Sequence, residues 1–138
     1  TILPAAKPKS LTDLPPDINR YYQEALSCIA SQAPNGAATL FRKLIHQISI
    51  YHQVSVVNDM ARPMEMVQKL EEKGLVNKTL SEALKAIMYL GDDGAHVKEN
   101  EPNMEQINIV KDLMESFLEV TVLQNLKIQK LERSRNGT

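Results

Sequence analysis

Apolar residues recur every three or four positions along most of the chain, a spacing typical of amphipathic helices. The first predicted helix begins near Asp17, because Pro15 and Pro16 end any earlier helix and the Asp17 carboxylate favours a helix start electrostatically. The second runs from about Gly36 to His52, and small residues at its start allow the first helix to approach closely. Its expected buried face comprises Ala37, Ala38, Leu40, Phe41, Leu44, Ile45, Ile48 and Tyr51.

Three further helices are predicted by the same spacing, over about 62–73, 79–91 and 103–126. Thr79 and Glu82 fit a capping box at the start of the fourth helix, and Asn103 with Gln106 fits another at the start of the last. Gly74 is the expected end of the third helix. In that third helix the residues expected to face the core are Met64, Val67 and Leu70.

The pattern as a whole predicts a single all-α bundle of about five helices. No stretch alternates apolar and polar residues for long enough to indicate a strand, and the valine-rich segment 54–61 is interpreted as a loop. The last helix carries more apolar residues than one buried face needs, because Ile109, Val120 and Leu123 widen its stripe. We therefore expect this helix to be central or to contact a second copy, and we predict a homodimer formed largely by the helices that flank the His96 turn, including the last helix.

Proline and charge divide the chain into three parts. Residues 1–16 are rich in proline and are expected to form an extended linker from an upstream domain, or an arm that packs on the domain or on a partner. Residues 17–126 form the helical domain. Residues 127–138 are basic and are expected to fray.

Composition excludes several classes of protein. The 16 basic and 17 acidic residues give a net charge of −1, which argues against a strongly basic nucleic-acid binder. The single cysteine, Cys28, allows neither an internal disulfide nor a cysteine-based zinc site, and this fits a cytoplasmic protein. No apolar run is long enough to span a membrane. No phosphate-binding glycine loop occurs, and we expect neither a cofactor nor a metal ion.

Candidate chemistry centres on the second helix and on the turn after the fourth. Arg42 and His46 are four residues apart, so they share one face of a helix. A permanent charge beside an apolar stripe needs an acceptor, and Asp92 or the adjacent Asp93 can supply it. We expect an ion pair that ties the two helices together. The alternative is a pocket for a phosphate group built from Arg42, His46 and His96.

The cysteine and a group of three methionines are interpreted as residues of the hydrophobic core. Cys28 lies between Leu26 and Ile29 on the first helix, with no neighbouring base in the sequence to activate its thiol. The methionines at positions 60, 64 and 66 are interpreted as core filler, with an adaptable binding surface as the alternative.

Four segments carry a resemblance to a known family: 17–25, 36–44, 69–76 and 84–96. Their order and spacing resemble domain-of-unknown-function family 4145, a branch of the HEPN superfamily of helical bundles. The resemblance implies a small bundle that commonly dimerises. Many HEPN domains are metal-independent ribonucleases whose motif is an Arg followed a few residues later by a His, with two copies meeting across a dimer.

This chain departs from the ribonuclease motif. His96 falls on the family's His, but none of the residues at positions 88–91 is an Arg. Asp92 stands where the family often has Asn, and its carboxylate would repel an RNA phosphate. We therefore expect a non-catalytic interaction and dimerisation module, accessory to a defence or nucleic-acid-processing protein. The alternative is a divergent ribonuclease that uses His96 with Arg42, the latter supplied by another helix.

Overall fold

The computed structural model of the chain describes residues 11, 13–55, 63–90 and 102–136. Almost all of these residues are helical, and no strand occurs among them. The elements are α1 Pro16–Ala30, α2 Pro34–Tyr51, α3 Pro63–Glu72, α4 Lys78–Leu90, α5 Met104–Leu118, a π-helical turn Glu119–Leu123 (the π turn) and α6 Gln124–Asn136. Because α5, the π turn and α6 are continuous, they form one rod, the last helical rod. Five helical segments result, and the predicted all-α bundle is confirmed.

α1 and α2 form the most extensive helix pair of the described chain. Ala37 and Ala38 are buried between them, as the small residues at the start of α2 predicted. Gly36 lies so close to α1 that a Cβ atom there would stand 3.1 Å from the Sγ atom of Cys28. A side chain at position 36 would therefore require the Cys28 thiol to shift by a few tenths of an ångström.

All five helical segments contribute to one hydrophobic core. Its largest fully buried side chains are Tyr22, Phe41, Phe117, Ile18, Leu44, Ile45, Ile48, Leu70, Leu84, Ile87, Ile107 and Met114. Leu11 also joins this core, and Leu14 packs against it. These two leucines, near the end of the segment 1–16, thus pack on the helices.

Side-chain caps begin α4 and α5. The Asn103 side chain accepts a hydrogen bond from the Gln106 backbone N–H, and the Gln106 side chain accepts one from the Asn103 N–H, which confirms the predicted capping box. The capping box predicted from Thr79 is wrong. The cap of α4 is Asn77, whose side chain accepts a 2.8 Å bond from the Leu80 N–H, so the helix begins before Thr79.

α3 ends where the sequence predicted but presents a different face. Gly74 has a φ of 75°, the left-handed conformation that ends many helices. Met64, predicted to face the core, is 41% exposed, and Met66 is buried instead alongside Val67 and Leu70. Met64 and Met66 are both apolar, so composition alone does not decide which one the neighbouring helices cover. The methionine at position 60 lies outside the described residues.

The last helical rod differs from the prediction at its C-terminal end. The basic tail that was expected to fray is helical as far as Asn136. Within the rod, the π turn places Thr121 and Val122 in the core, and the Thr121 hydroxyl donates a 2.7 Å bond to the Phe117 carbonyl. None of the described helices is both long and apolar enough to cross a membrane.

Candidate functional site

Arg42 and His46 lie one turn apart at the edge of the buried face of α2. Both side chains are half-buried, whereas Lys43 next to them is exposed. The Arg42 Nε atom and the His46 Nε2 atom have essentially no solvent-accessible surface, and His46 Nε2 has no hydrogen-bond partner. The predicted shared face is confirmed, and it brings a cation and an imidazole to the boundary between core and surface.

The other half of the predicted site, Asp92 and His96, lies outside the described residues, as does Asp93. The end of the fourth helix at Gly91 lies outside them too. The ion pair between Arg42 and an aspartate therefore stays a prediction, and so does the phosphate pocket.

Two serines on the packed helices α2 and α4 are completely buried. The Ser49 hydroxyl donates a 2.9 Å bond to the Ile45 carbonyl within α2. The Ser81 hydroxyl on α4 has no partner. An unpaired buried hydroxyl costs free energy, so Ser81 is a weak point of the α4 packing rather than a source of stability.

His52 directly follows α2 and forms a cluster that the sequence did not predict. Its backbone carbonyl accepts a 3.1 Å bond from the Lys73 Nζ atom, just beyond α3. Its ring meets the Tyr51 ring edge-on, with centroids 4.9 Å apart. The Thr121 carbonyl of the π turn lies beside the imidazole, although the Nε2 atom is buried without a hydrogen-bond partner.

The environment of His52 favours the neutral imidazole. Burial lowers its pKa below the usual 6.5, and the positive charge of Lys73 acts in the same direction. The Thr121 carbonyl favours the protonated form but does not outweigh burial. His52 is therefore a neutral side chain that ties the end of α2 to the last helical rod near neutral pH.

A second polar cluster joins α1 to α5. The Tyr22 hydroxyl donates a 2.5 Å hydrogen bond to the Glu115 carboxylate, which also lies 3.5 Å from the Lys111 Nζ atom. Burial raises the pKa of Tyr22 strongly, and the Glu115 carboxylate raises it further. This tyrosine stays protonated and acts as a structural donor.

No other described residues form a candidate catalytic or binding site. Cys28 is a free thiol, half-buried against the core as expected. No group of three or more His, Cys, Asp or Glu side chains stands together in the described ranges. A shallow depression on α6, between Gln129 and Arg133, is formed by exposed side chains of one helix and cannot enclose a ligand.

The last helical rod presents apolar side chains to solvent. Ile109 is 55% exposed, Val120 47%, Ile128 54% and Leu131 68%. Leu123, which was grouped with Ile109 and Val120 as surplus, instead packs against the core. No residue of α6 is buried, and within the described chain α6 makes its main contacts with the π turn.

Sequence reasoning found the α2 pair but missed the clusters of His52 and Tyr22. The spacing of Arg42 and His46 is a local signal, because residues four apart on a helix are neighbours. The partners of His52 and Tyr22 come from distant parts of the chain, and no local pattern indicates them. The only available signal was that His52 is the last residue of the predicted second helix, where an imidazole meets helix-end carbonyls.

Comparisons with known proteins give one result. No curated protein matches the chain, and no solved structure does either. A family model, described as a domain of unknown function, matches residues 23–134, which covers the second half of α1 and every later element nearly to the end of α6. The chain belongs to the domain-of-unknown-function family DUF4145.

Proposed function

We propose that this chain is a non-catalytic helical interaction module that forms a homodimer through its last helical rod. The proposal includes its placement in the HEPN-like superfamily, a cytoplasmic location, and a role beside a defence or nucleic-acid-processing protein. A partner protein or an upstream domain would then supply the chemistry. One observation carries the proposal: no residue of α6 is fully buried in the monomer, Leu126 packs partly against the core, and Ile128 and Leu131 are displayed to solvent.

A helix of this kind is poorly stabilised by the monomer alone. α6 continues the last helical rod beyond the π turn, and apart from Leu126 near its start the described chain gives its side chains little tertiary packing. Exposed apolar side chains aligned on one element are typical of an interaction surface. The family match runs to residue 134, so most of α6 belongs to the family's domain.

The features of the sequence favour binding over catalysis. The Arg of the HEPN ribonuclease motif is absent before His96, and Asp92 stands at a position where the family often has Asn, with a carboxylate that would repel an RNA phosphate. The alternative, a ribonuclease that uses His96 with Arg42, requires α2 to supply the missing guanidinium.

Light scattering tests the dimer. We expect the wild type at tens of micromolar to have the mass of two chains, and the double variant Ile128→Ser, Leu131→Ser to have the mass of one. The matched control is Met64→Ser on α3, which removes an exposed apolar side chain away from the last helical rod and is expected to leave the dimer intact. A wild type that is monomeric at this concentration contradicts the proposal.

An RNA cleavage assay separates the two functions. We expect wild type and His96→Ala to leave single-stranded RNA equally intact without added metal. Cleavage by the wild type that is lost in both His96→Ala and Arg42→Ala would establish the ribonuclease instead.

A further inference from the structure

Charge is distributed unevenly along the chain. Residues 1–123 contain 12 basic and 16 acidic residues, whereas residues 124–138 contain 4 basic residues and 1 acidic residue. The chain up to the end of the π turn therefore carries a net charge of −4, and the segment that begins with α6 carries +3. The near-neutral total thus combines an acidic protein body with a basic terminal helix.

Three of the basic residues of α6 lie on one side of this helix. Lys127, Lys130 and Arg133 follow one another at intervals of three residues within a regular α-helix, so they span an arc of about 120° around its axis. All three are exposed, and successive residues are about 4.5 Å apart along the axis. These three residues are called the basic stripe.

The apolar residues of α6 occupy a different side of the helix from the basic stripe. Around the axis, Ile128 lies about 160° from Lys130, and Leu131 lies about 100° from it. Glu132, the single acidic residue of α6, is also about 160° from Lys130. A dimer that forms through Ile128 and Leu131 therefore leaves the basic stripe uncovered.

The basic stripe is not neutralised by the part of the chain that the structure describes. The ion pairs of the described residues that involve a lysine join Lys111 to Asp112 and to Glu115, and none includes a residue of the stripe. Three positive charges thus stand in a row on a helix that extends from the π turn. Such a row is complementary to a chain of closely spaced negative charges.

We propose that the basic stripe binds the phosphate backbone of a nucleic-acid duplex. Lys and Arg side chains make most of their contacts with nucleic acids through phosphate oxygens, and these contacts require no particular base sequence. The segment 124–138 contains no Phe, Tyr, Trp or His, so it has no ring on which the bases of a single strand could stack. A duplex, whose bases are already paired, is therefore the form that fits.

The acidic remainder of the chain confines this contact to α6. Its net charge of −4 repels a polyanion, so each copy holds the duplex through about three phosphates only. The binding is therefore independent of sequence and strongly weakened by salt. It goes beyond the proposed dimer and does not require it, because each copy carries a complete basic stripe.

Fluorescence anisotropy with a short labelled DNA duplex tests the basic stripe. We expect the logarithm of the affinity to fall with the logarithm of the salt concentration, with a slope of about −2.7 for each stripe that contacts the duplex. The triple variant Lys127→Gln, Lys130→Gln, Arg133→Gln keeps good helix formers in α6. It is expected to lower the affinity at low salt by roughly tenfold or more and to remove most of the slope.

A matched triple variant controls for net charge. Lys43→Gln, Lys69→Gln, Lys78→Gln removes the same charge from exposed positions on α2, α3 and α4 and is expected to keep most of the affinity. Circular dichroism checks that both triple variants remain helical. An equal loss of affinity in the two variants would overturn the inference, because binding would then follow the total charge and not the stripe.

Competition identifies the polyanion. Unlabelled duplex DNA and duplex RNA are each expected to displace the labelled duplex, and the one that does so at the lower concentration is the preferred duplex. More effective displacement by a single strand would overturn the inference. Equally effective displacement by poly-glutamate at the same concentration of charge would also overturn it, because the stripe would then suit an acidic protein.

The dimer and the basic stripe can fail separately. The double variant Ile128→Ser, Leu131→Ser retains the stripe and is expected to bind the duplex as a monomer, with the salt slope of a single stripe. A monomeric wild type that binds the duplex would contradict the proposed dimer and support the stripe. A dimeric wild type with no salt-dependent affinity for the duplex would overturn the stripe and leave the dimer.

Discussion

Tyr22 and Glu115 lie 93 positions apart in the chain and are joined by a hydrogen bond of 2.5 Å from the phenol hydroxyl to the carboxylate. Tyr22 is almost completely buried, and the Glu115 side chain is only 12% exposed. A carboxylate that is largely buried costs free energy unless hydrogen bonds satisfy it, so Glu115 depends on the Tyr22 hydroxyl. The bond therefore fixes how α1 lies against α5.

Tyr22→Phe keeps the ring and removes only the donor. We expect the free energy of unfolding to fall by about 2 kcal/mol, because the Glu115 carboxylate is left with Lys111 as its remaining partner. Urea unfolding followed by circular dichroism measures the loss. Tyr21→Phe, half-buried on the same helix, is the matched control, and an equal loss in both variants would contradict the role of the bond.

His52 makes stability depend on pH. Its pKa is lowered in the folded protein, so between the folded value and 6.5 the unfolded chain binds a proton that the folded protein does not. Stability is therefore expected to fall as the pH drops below about 6.5 and to be fully present above it. Thermal melting from pH 7.5 to pH 5.5 measures this dependence.

The assignment to His52 is checked with variants of the chain's histidines. His52→Gln is expected to flatten the melting profile over that pH range, whereas His46→Gln keeps the profile because His52 is still present. A profile that His52→Gln leaves as steep as before would assign the effect to another group.

The capping box of α5 is a local source of stability. Asn103→Ala removes the acceptor for the Gln106 N–H and is expected to cost about 1 kcal/mol. Asn108→Ala, an exposed substitution inside the same helix, is the control and should be neutral or slightly stabilising. Equal melting temperatures for the two variants would show that the cap contributes nothing to stability.

Arg42→Ala separates a structural role from phosphate binding. If its guanidinium holds the aspartate predicted from the sequence, stability is expected to fall by roughly 1–3 kcal/mol. Lys43→Ala, an exposed neighbour, is the control. An unshifted melting temperature together with a lost affinity for RNA would establish the phosphate pocket instead.

Much of the fold could be predicted because its signals are local. Apolar residues three and four positions apart identified each helix, and Asn103 with Gln106 identified the start of α5 correctly. At α4 the same reasoning chose Thr79, although Asn77 is the cap. Both residues have side chains that can cap, and only the backbone geometry distinguishes them.

The remainder depends on packing between distant segments. The shared face of Arg42 and His46 on α2 could be predicted from their spacing. The residues around His52 could not, because Lys73 lies just beyond α3 and Thr121 lies in the π turn. The π turn itself has no local signature, since its apolar residues fit an ordinary helix equally well. The exposure of α6 could not be predicted either, because the sequence does not show which apolar residues the other helices leave uncovered.

The π turn lets the last helical rod hold one extra residue. A π turn holds one residue more than the α-helical turn it replaces, so it is what a single-residue insertion into a helix leaves behind. Because the wide turn takes up the extra residue, deleting one residue there would restore a regular helix and leave the residues after it in nearly the same phase. Deleting a residue from the regular part of α6 would instead rotate everything after it by about 100°. A one-residue change in length at the π turn would thus preserve both the core packing of α5 and the surface that α6 offers to a partner.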